Sequence, residues 1–193
     1  MTADPITTTA DSDEPLPSPR DVLVFWFEEL GRKDWFGGGP ELDCTITARF
    51  KALHEALAAD QPDEWTATPE ARLALVIVLD QFPRNIWRGS AHMFATDGLA
   101  LRHARTIRDD DLASGFSDDM KLFAFLPFEH SESMEDQDEA VRLIRPLGDD
   151  YGDYAVRHRE VIERFGRFPH RNAALGRSST AEEQAWLDEG GGF

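Results

Sequence analysis

Cysteine is almost absent from this chain: Cys44 stands alone among 193 residues. No internal disulfide can form, and a reducing, cytoplasmic setting is expected. Lysine is scarce too, with Lys33, Lys51 and Lys121 set against 17 arginines. No apolar run approaches the roughly 20 residues that a membrane span needs. The chain opens without a basic start and an apolar stretch behind it, so no secretory signal is expected. A positive balance is missing as well. The net charge is −17, from 37 acidic and 20 basic residues. Nucleic acid and anionic lipid are repelled at long range, so neither is an expected partner. Gly37-Gly38-Gly39 lacks the lysine and the preceding strand of a phosphate-binding loop, which excludes that reading. No two histidines stand at the one-turn spacing of a helical metal site, so neither metal nor cofactor is expected.

Apolar material, by contrast, is plentiful. The hydrophobic fraction is 41%, with 13 Phe and 5 Trp, enough for a sizeable core. It is unevenly distributed. Residues Met1 to Pro17 hold four acids, four threonines and three prolines with almost no large apolar groups. They cannot bury enough surface to offset ordering, so residues 1–17 are expected to be a disordered tail and 18–193 a single all-α domain.

Helical punctuation begins at Ser18-Pro19-Arg20-Asp21, a cap with proline in the first turn, and the helix stops at Gly31. Trp35 to Pro40 reads as a loop. A second helix from about Asp43 aligns Ile46, Phe50, Leu53 and Leu57 on one face and breaks near Pro62. Thr68-Pro69-Glu70 caps a third, whose β-branched run suits a strand but whose length favours a helix, ending at Pro83. Further helices are expected from Asp97, from Ser117 up to Pro127, from Met134 to Arg145, and from Tyr151 to Phe165 with Tyr154, Val161, Ile162 and Phe165 inward. A capping box at Ser179 and Glu182 opens the last. Eight helices and no strand predict an all-α fold of antiparallel helix pairs.

Three apolar runs end at a proline followed at once by ionic residues: Leu79 to Asn85, Phe125 to Glu132, and Arg167 to Asn172. Pro83, Pro127 and Pro169 are 44 and 42 residues apart, the spacing of two-helix repeats. Each is read as a helix exit where polar groups gather. Together with Val22 to Phe27, Phe94 to Asp97 and the wider stretches Leu79 to Ile86 and Arg164 to Asn172, these strings resemble one family, the bacterial domain-of-unknown-function family numbered 924. The likeness runs from about Ser18 to Trp186. It implies an all-α superhelix similar to tetratricopeptide repeats, and it implies no activity.

The corners carry the candidate chemistry. Glu129-His130-Ser131-Glu132, with His158 elsewhere, offers histidines beside carboxylates, the arrangement of a general base. His130, Glu129 and His158 are the catalytic candidates. From Arg157 to Arg177 the local charge reverses, and arginine forks suit carboxylate or phosphate. Asp80, Arg84, Asn85, Glu132, Arg159, His170, Arg171 and Asn172 are therefore the ligand-binding candidates, for a small anionic metabolite. The same arginines have a structural alternative, internal pairing with Asp80, Glu129, Glu132 and Glu163. Cys44 and Ser131 lack a partner base and are read as structural. Trp26 is read as a core anchor, while Trp35 and Trp87 fit either core or pocket mouth. The competing function is a helical-repeat module that binds a protein partner on its concave face without chemistry.

Overall fold

The computed structural model describes residues 15–193 and is all-α. Most of the expected tail, residues 1–14, lies outside the described residues. The first helix, α1 (Pro19–Val24), opens as its sequence dictates. Ser18 accepts from the Asp21 amide at 3.3 Å, and the Asp21 carboxylate accepts from the Ser18 amide at 2.8 Å. A wider π-type turn (Phe25–Glu29) continues it and brings the adjacent Phe25 and Trp26 both into the core.

The expected loop around Trp35 contains a short helix, α2 (Arg32–Gly37), because Asp34 caps the Gly31 amide. Gly38 (φ +39°) and Gly39 (φ +154°) then reverse the chain into α3 (Pro40–Ala59). The helix α3 buries the Ile46, Phe50, Leu53 and Leu57 face that the periodicity predicts.

Everything is built around α4 (Pro69–Asp80), capped by Thr68. Every residue from Leu73 to Asp80 is buried, because α1, α3, α6 (Asp97–Asp109) and α7 (Asp118–Glu129) all pack on it. That encirclement explains a β-branched run in a helix: no face needs polar residues. Beyond it, α7 packs on α8 (Met134–Ile144), which packs on α9 (Asp149–Phe165). A second, smaller apolar cluster joins Val161, Ile162 and Phe168 to Trp186 of α10 (Ala181–Asp188).

The three prolines do not all end helices. Pro83 sits in the first turn of a short helix, α5 (Phe82–Ile86), where its missing amide costs nothing. Pro127 lies inside α7, one turn from its end, and leaves only the Phe123 carbonyl without its amide. Pro169 opens a 3₁₀ turn (Pro169–Arg171) after α9 has stopped at Gly166. Two caps fall one residue from their expected places. Thr96, not Asp97, precedes α6, and the last capping box is Thr180 with Glu183. Tyr154, expected inward, is 53% exposed, and Arg157 lies 5.1 Å over its ring.

Candidate functional site

The proline corners meet in one polar centre. The helix α4 delivers Asp80 at its last turn with 0% exposure, deep among apolar neighbours. A carboxylate there needs partners, and it has three. His130 Nδ1 lies 2.9 Å away, Gln81 Nε2 donates at 2.5 Å, and an Arg84 guanidinium nitrogen sits at 3.4 Å. Burial alone would raise the Asp80 pKa, but Arg84 and His130 outweigh it and bring it down to about 2. Arg84 also donates to the Asp80 carbonyl, and to Asp97 at 3.0 and 3.3 Å.

An ionised Asp80 settles the state of His130. Burial and the Arg84 charge hold the imidazole below its ordinary pKa, so it is neutral near pH 7. Its Nδ1 must carry the proton that Asp80 accepts, and Nε2 keeps the lone pair. No partner for Nε2 exists among the described residues. This is the geometry of an oriented general base.

Glu129, one residue earlier, faces His158 instead, with 3.2 Å between Oε1 and Nδ1. The pair looks ionic by distance but is not so by charge. Glu129 is 4% exposed, and burial together with the Asp80 charge raises its pKa to about 8. Burial lowers His158 to about 3, and its Nδ1 also meets the Tyr154 carbonyl oxygen at 2.9 Å. At neutral pH the centre therefore holds a free imidazole and a protonated carboxylic acid on adjacent residues, environments that push two titratable groups apart.

His158 is covered by Phe193, whose ring stacks on the imidazole at 3.6 Å and 14°. The strap that brings it there crosses the Trp186 indole so closely that a Cβ on Gly191 would lie 2.3 Å from a ring carbon. Gly191→Ala is expected to lift the strap and uncover His158. Carbethoxylation of His158, followed by mass spectrometry, should accelerate several-fold while circular dichroism stays constant; an unchanged rate would refute the covering role.

The third corner supplies Arg171. Phe94 and Phe168 sandwich its guanidinium at 4.6 and 4.5 Å. One long bond to Asp97, at 3.4 Å, is its single side-chain partner among the described residues, and Nε has none. Burial lowers its pKa to about 10, with the Arg84 charge adding to the effect. It is a buried cation with donors to spare. His170 is near enough to feel Arg171 and is lowered to about 4, mainly by burial. Glu132 is spoken for: it accepts from the Phe168 amide at 2.9 Å and from Arg177 at 2.8 and 2.9 Å.

Thus Asp80, Arg84, Glu129, His130, His158 and Arg171 come together, with His170 and Glu132 at the edge. Three candidates do not join them. Asn85 turns to Asp43 at 2.8 Å, and Asn172 holds Ser179 and Glu183. Arg159 pairs with Asp138 and Glu163 on the outer face of α9. The internal pairing expected for the arginines is present at Arg84–Asp80, Arg177–Glu132 and Arg159–Glu163, but Glu129 faces His158 and pairs with no arginine among the described residues. Asp97 was legible only as a helix cap, though it bridges Arg84 and Arg171; its place in Phe94 to Asp97 was the available signal. Gln81, Phe94, Phe168 and Phe193 carried no chemical motif, and Arg177 was legible only as the end of the basic stretch. Ser131 donates to Asp136 at 2.7 Å, and Cys44 is exposed on α3. Trp35 and Trp87 are both half-buried, one donating to the Trp26 carbonyl at 2.9 Å, the other edge-on to His54.

Among the described residues, no helix is long and apolar enough to cross a membrane, and no group of three or more His, Cys, Asp or Glu side chains is placed to hold a metal ion. No curated protein matches the chain. A solved structure of a protein of unknown function, ATU0120 from Agrobacterium tumefaciens, is similar. It shares 42% identity with a TM-score of 0.84, covering 89% of this chain and 97% of that one. A family model matches residues 22–191, the whole span that brings the three corners together, and the chain belongs to that family, described as bacterial protein of unknown function (DUF924).

Proposed function

We propose that the polar centre binds a small oxyanion-bearing metabolite and moves a proton on it. His130 Nε2 takes the proton, Glu129 supplies one, and Arg171 receives the anion on its open fork. One observation carries this reading: the buried Asp80–His130 contact of 2.9 Å, which orients a neutral imidazole beside an under-bonded arginine. Asp80 is a positioning residue, since it acts through His130. Arg84 is already shared by Asp80 and Asp97, so Arg171, with a single long bond to Asp97, is the cation whose donors are open to a ligand.

Thermal-shift titrations with succinate and with inorganic phosphate test it. At least one should stabilise the wild type. Arg171→Ala should weaken that response by about tenfold or more, the worth of a charged hydrogen-bonded contact. His130→Ala should bind more weakly too.

The rival reading, a tetratricopeptide-like module gripping a protein segment, is favoured by one feature. Tyr154 and Phe193, 53% and 47% exposed, flank Arg157 on one surface. Absence of any anion response, with all variants alike, decides for it.

A further inference from the structure

A groove of about 430 Å³ lies between α2, the start of α3 and α5, in the size range of small-molecule sites. It is separate from the anion-binding centre, touching it only through Gln81 and Arg84. Trp35 and Phe36 provide aromatic walls at 89° to each other, and Phe36 is 58% exposed although Phe123 and Tyr151 lie 6.5 and 6.3 Å from its ring.

The polar lining tells what kind of ligand fits. Its arginines are already paired, and Asp34 accepts from the Gly31 amide at 3.0 Å. Arg88 forms a two-bond pair with Asp43, both at 2.7 Å, and Arg84 is held by Asp97. Gln81 and Asn85 each spend one amide N–H, on Asp80 and Asp43, and their second N–H and carbonyl oxygen have no partner among the described residues. Trp26 lines the groove as well. Its side chain is only 2% exposed, yet its indole N–H has no partner among the described residues. The flanking Phe82 and Phe123 rings offer that N–H no lone pair. A buried donor left unmade is expensive. What remains unpaired is the Trp26 indole N–H, the second N–H of each amide and the two amide carbonyl oxygens, all uncharged, beside two aromatic rings set edge to face.

We infer that this groove binds a neutral, planar nitrogen heterocycle, whose ring stacks on Trp35 and meets the perpendicular Phe36 ring edge-on, and whose donor–acceptor edge meets Trp26, Gln81 and Asn85. An aromatic anion would meet the Asp34 carboxylate here, beside arginines already bonded to Asp43 and Asp97. The ligand is thus of a different class from the oxyanion proposed for the polar centre, and the two sites stand or fall separately.

Adenine and benzoate, titrated into ¹⁵N-labelled protein, test the inference. Five tryptophans give five indole signals, assignable from single Trp→Phe variants. Adenine should move the Trp26 and Trp35 signals saturably, and benzoate should move neither. Asn85→Ala and Trp35→Ala should each weaken adenine by about tenfold, the worth of a stacked or hydrogen-bonded base. Trp35→Phe, which keeps an aromatic face and guards against misfolding of the alanine variant, should stay within about threefold of wild type. Unmoved indole signals, equal binding of benzoate, or variants that bind as the wild type does would each overturn it.

Discussion

Replacing Asp80 by alanine is expected to destabilise the protein by about 3–5 kcal/mol, the usual cost of removing one partner from a buried ionic cluster. The urea midpoint should fall with its slope unchanged. The charge itself contributes little; the loss comes from what it leaves behind. Asp80 is fully buried and satisfies His130, Gln81 and Arg84 at once. Without it, an imidazole N–H and the Gln81 amide lose their acceptor in desolvated space, and the Arg84 guanidinium is left with Asp97 as its only carboxylate. Asp80→Asn keeps the volume and one acceptor and should lose less, yet it removes the charge that orients His130. The carboxylate's contribution is present above its unfolded pKa, near 4, and fades as pH falls towards about 2. If Asp80→Ala unfolds within about 1 kcal/mol of wild type, the centre is not the closed network described.

Glu129→Gln should do the opposite, and only on the alkaline side. Folded Glu129 keeps its proton up to about pH 8, while the unfolded side chain loses it near its ordinary value of 4.5. Between those values folding takes up a proton, so wild-type stability falls as pH rises from about 4.5 to 8. Glutamine has no proton to take up. The variant should match wild type near pH 4.5 and exceed it above pH 8, by on the order of 5 kcal/mol, since each pH unit crossed between the two pKa values is worth about 1.36 kcal/mol. His158 bounds the acid side. Its pKa, lowered from 6.5 to about 3, makes its contribution complete above 6.5 and lost as pH falls towards 3. Urea midpoints at the two pH values decide the matter, and parallel pH profiles would show that Glu129 is ionised in the folded protein. A cost in stability at neutral pH fits the proton-donor role proposed for Glu129.

Local readings held where local physics rules. Ser18, Thr68 and Ser117 cap helices because their hydroxyls accept amides three residues on, a relation written entirely in neighbouring residues. Pro127 misled for the same reason. A proline usually ends a helix, but burial of Phe125 through Glu129 against α4 and its neighbours holds the last turn in place. Glu129 beside His130 was the natural pairing along the chain, yet the end of a helix points adjacent side chains in different directions. His130 meets Asp80, and Glu129 meets His158.

Residue order was enough for the all-α architecture, the positions of most helices and the three corners worth inspecting. Apolar period, caps and turn residues act over a few positions, and nothing distant had to be known. Which corner residues share a site became clear only in three dimensions. Packing drew in Asp97 and Arg171, turned Asn85 and Asn172 to other partners, and left Arg159 on the surface. It also set which groups are charged, because Glu129, His130 and His158 owe their protonation to burial and to charges from other helices. Desolvation and Coulomb energies depend on distance in space, and sequence order does not encode that distance.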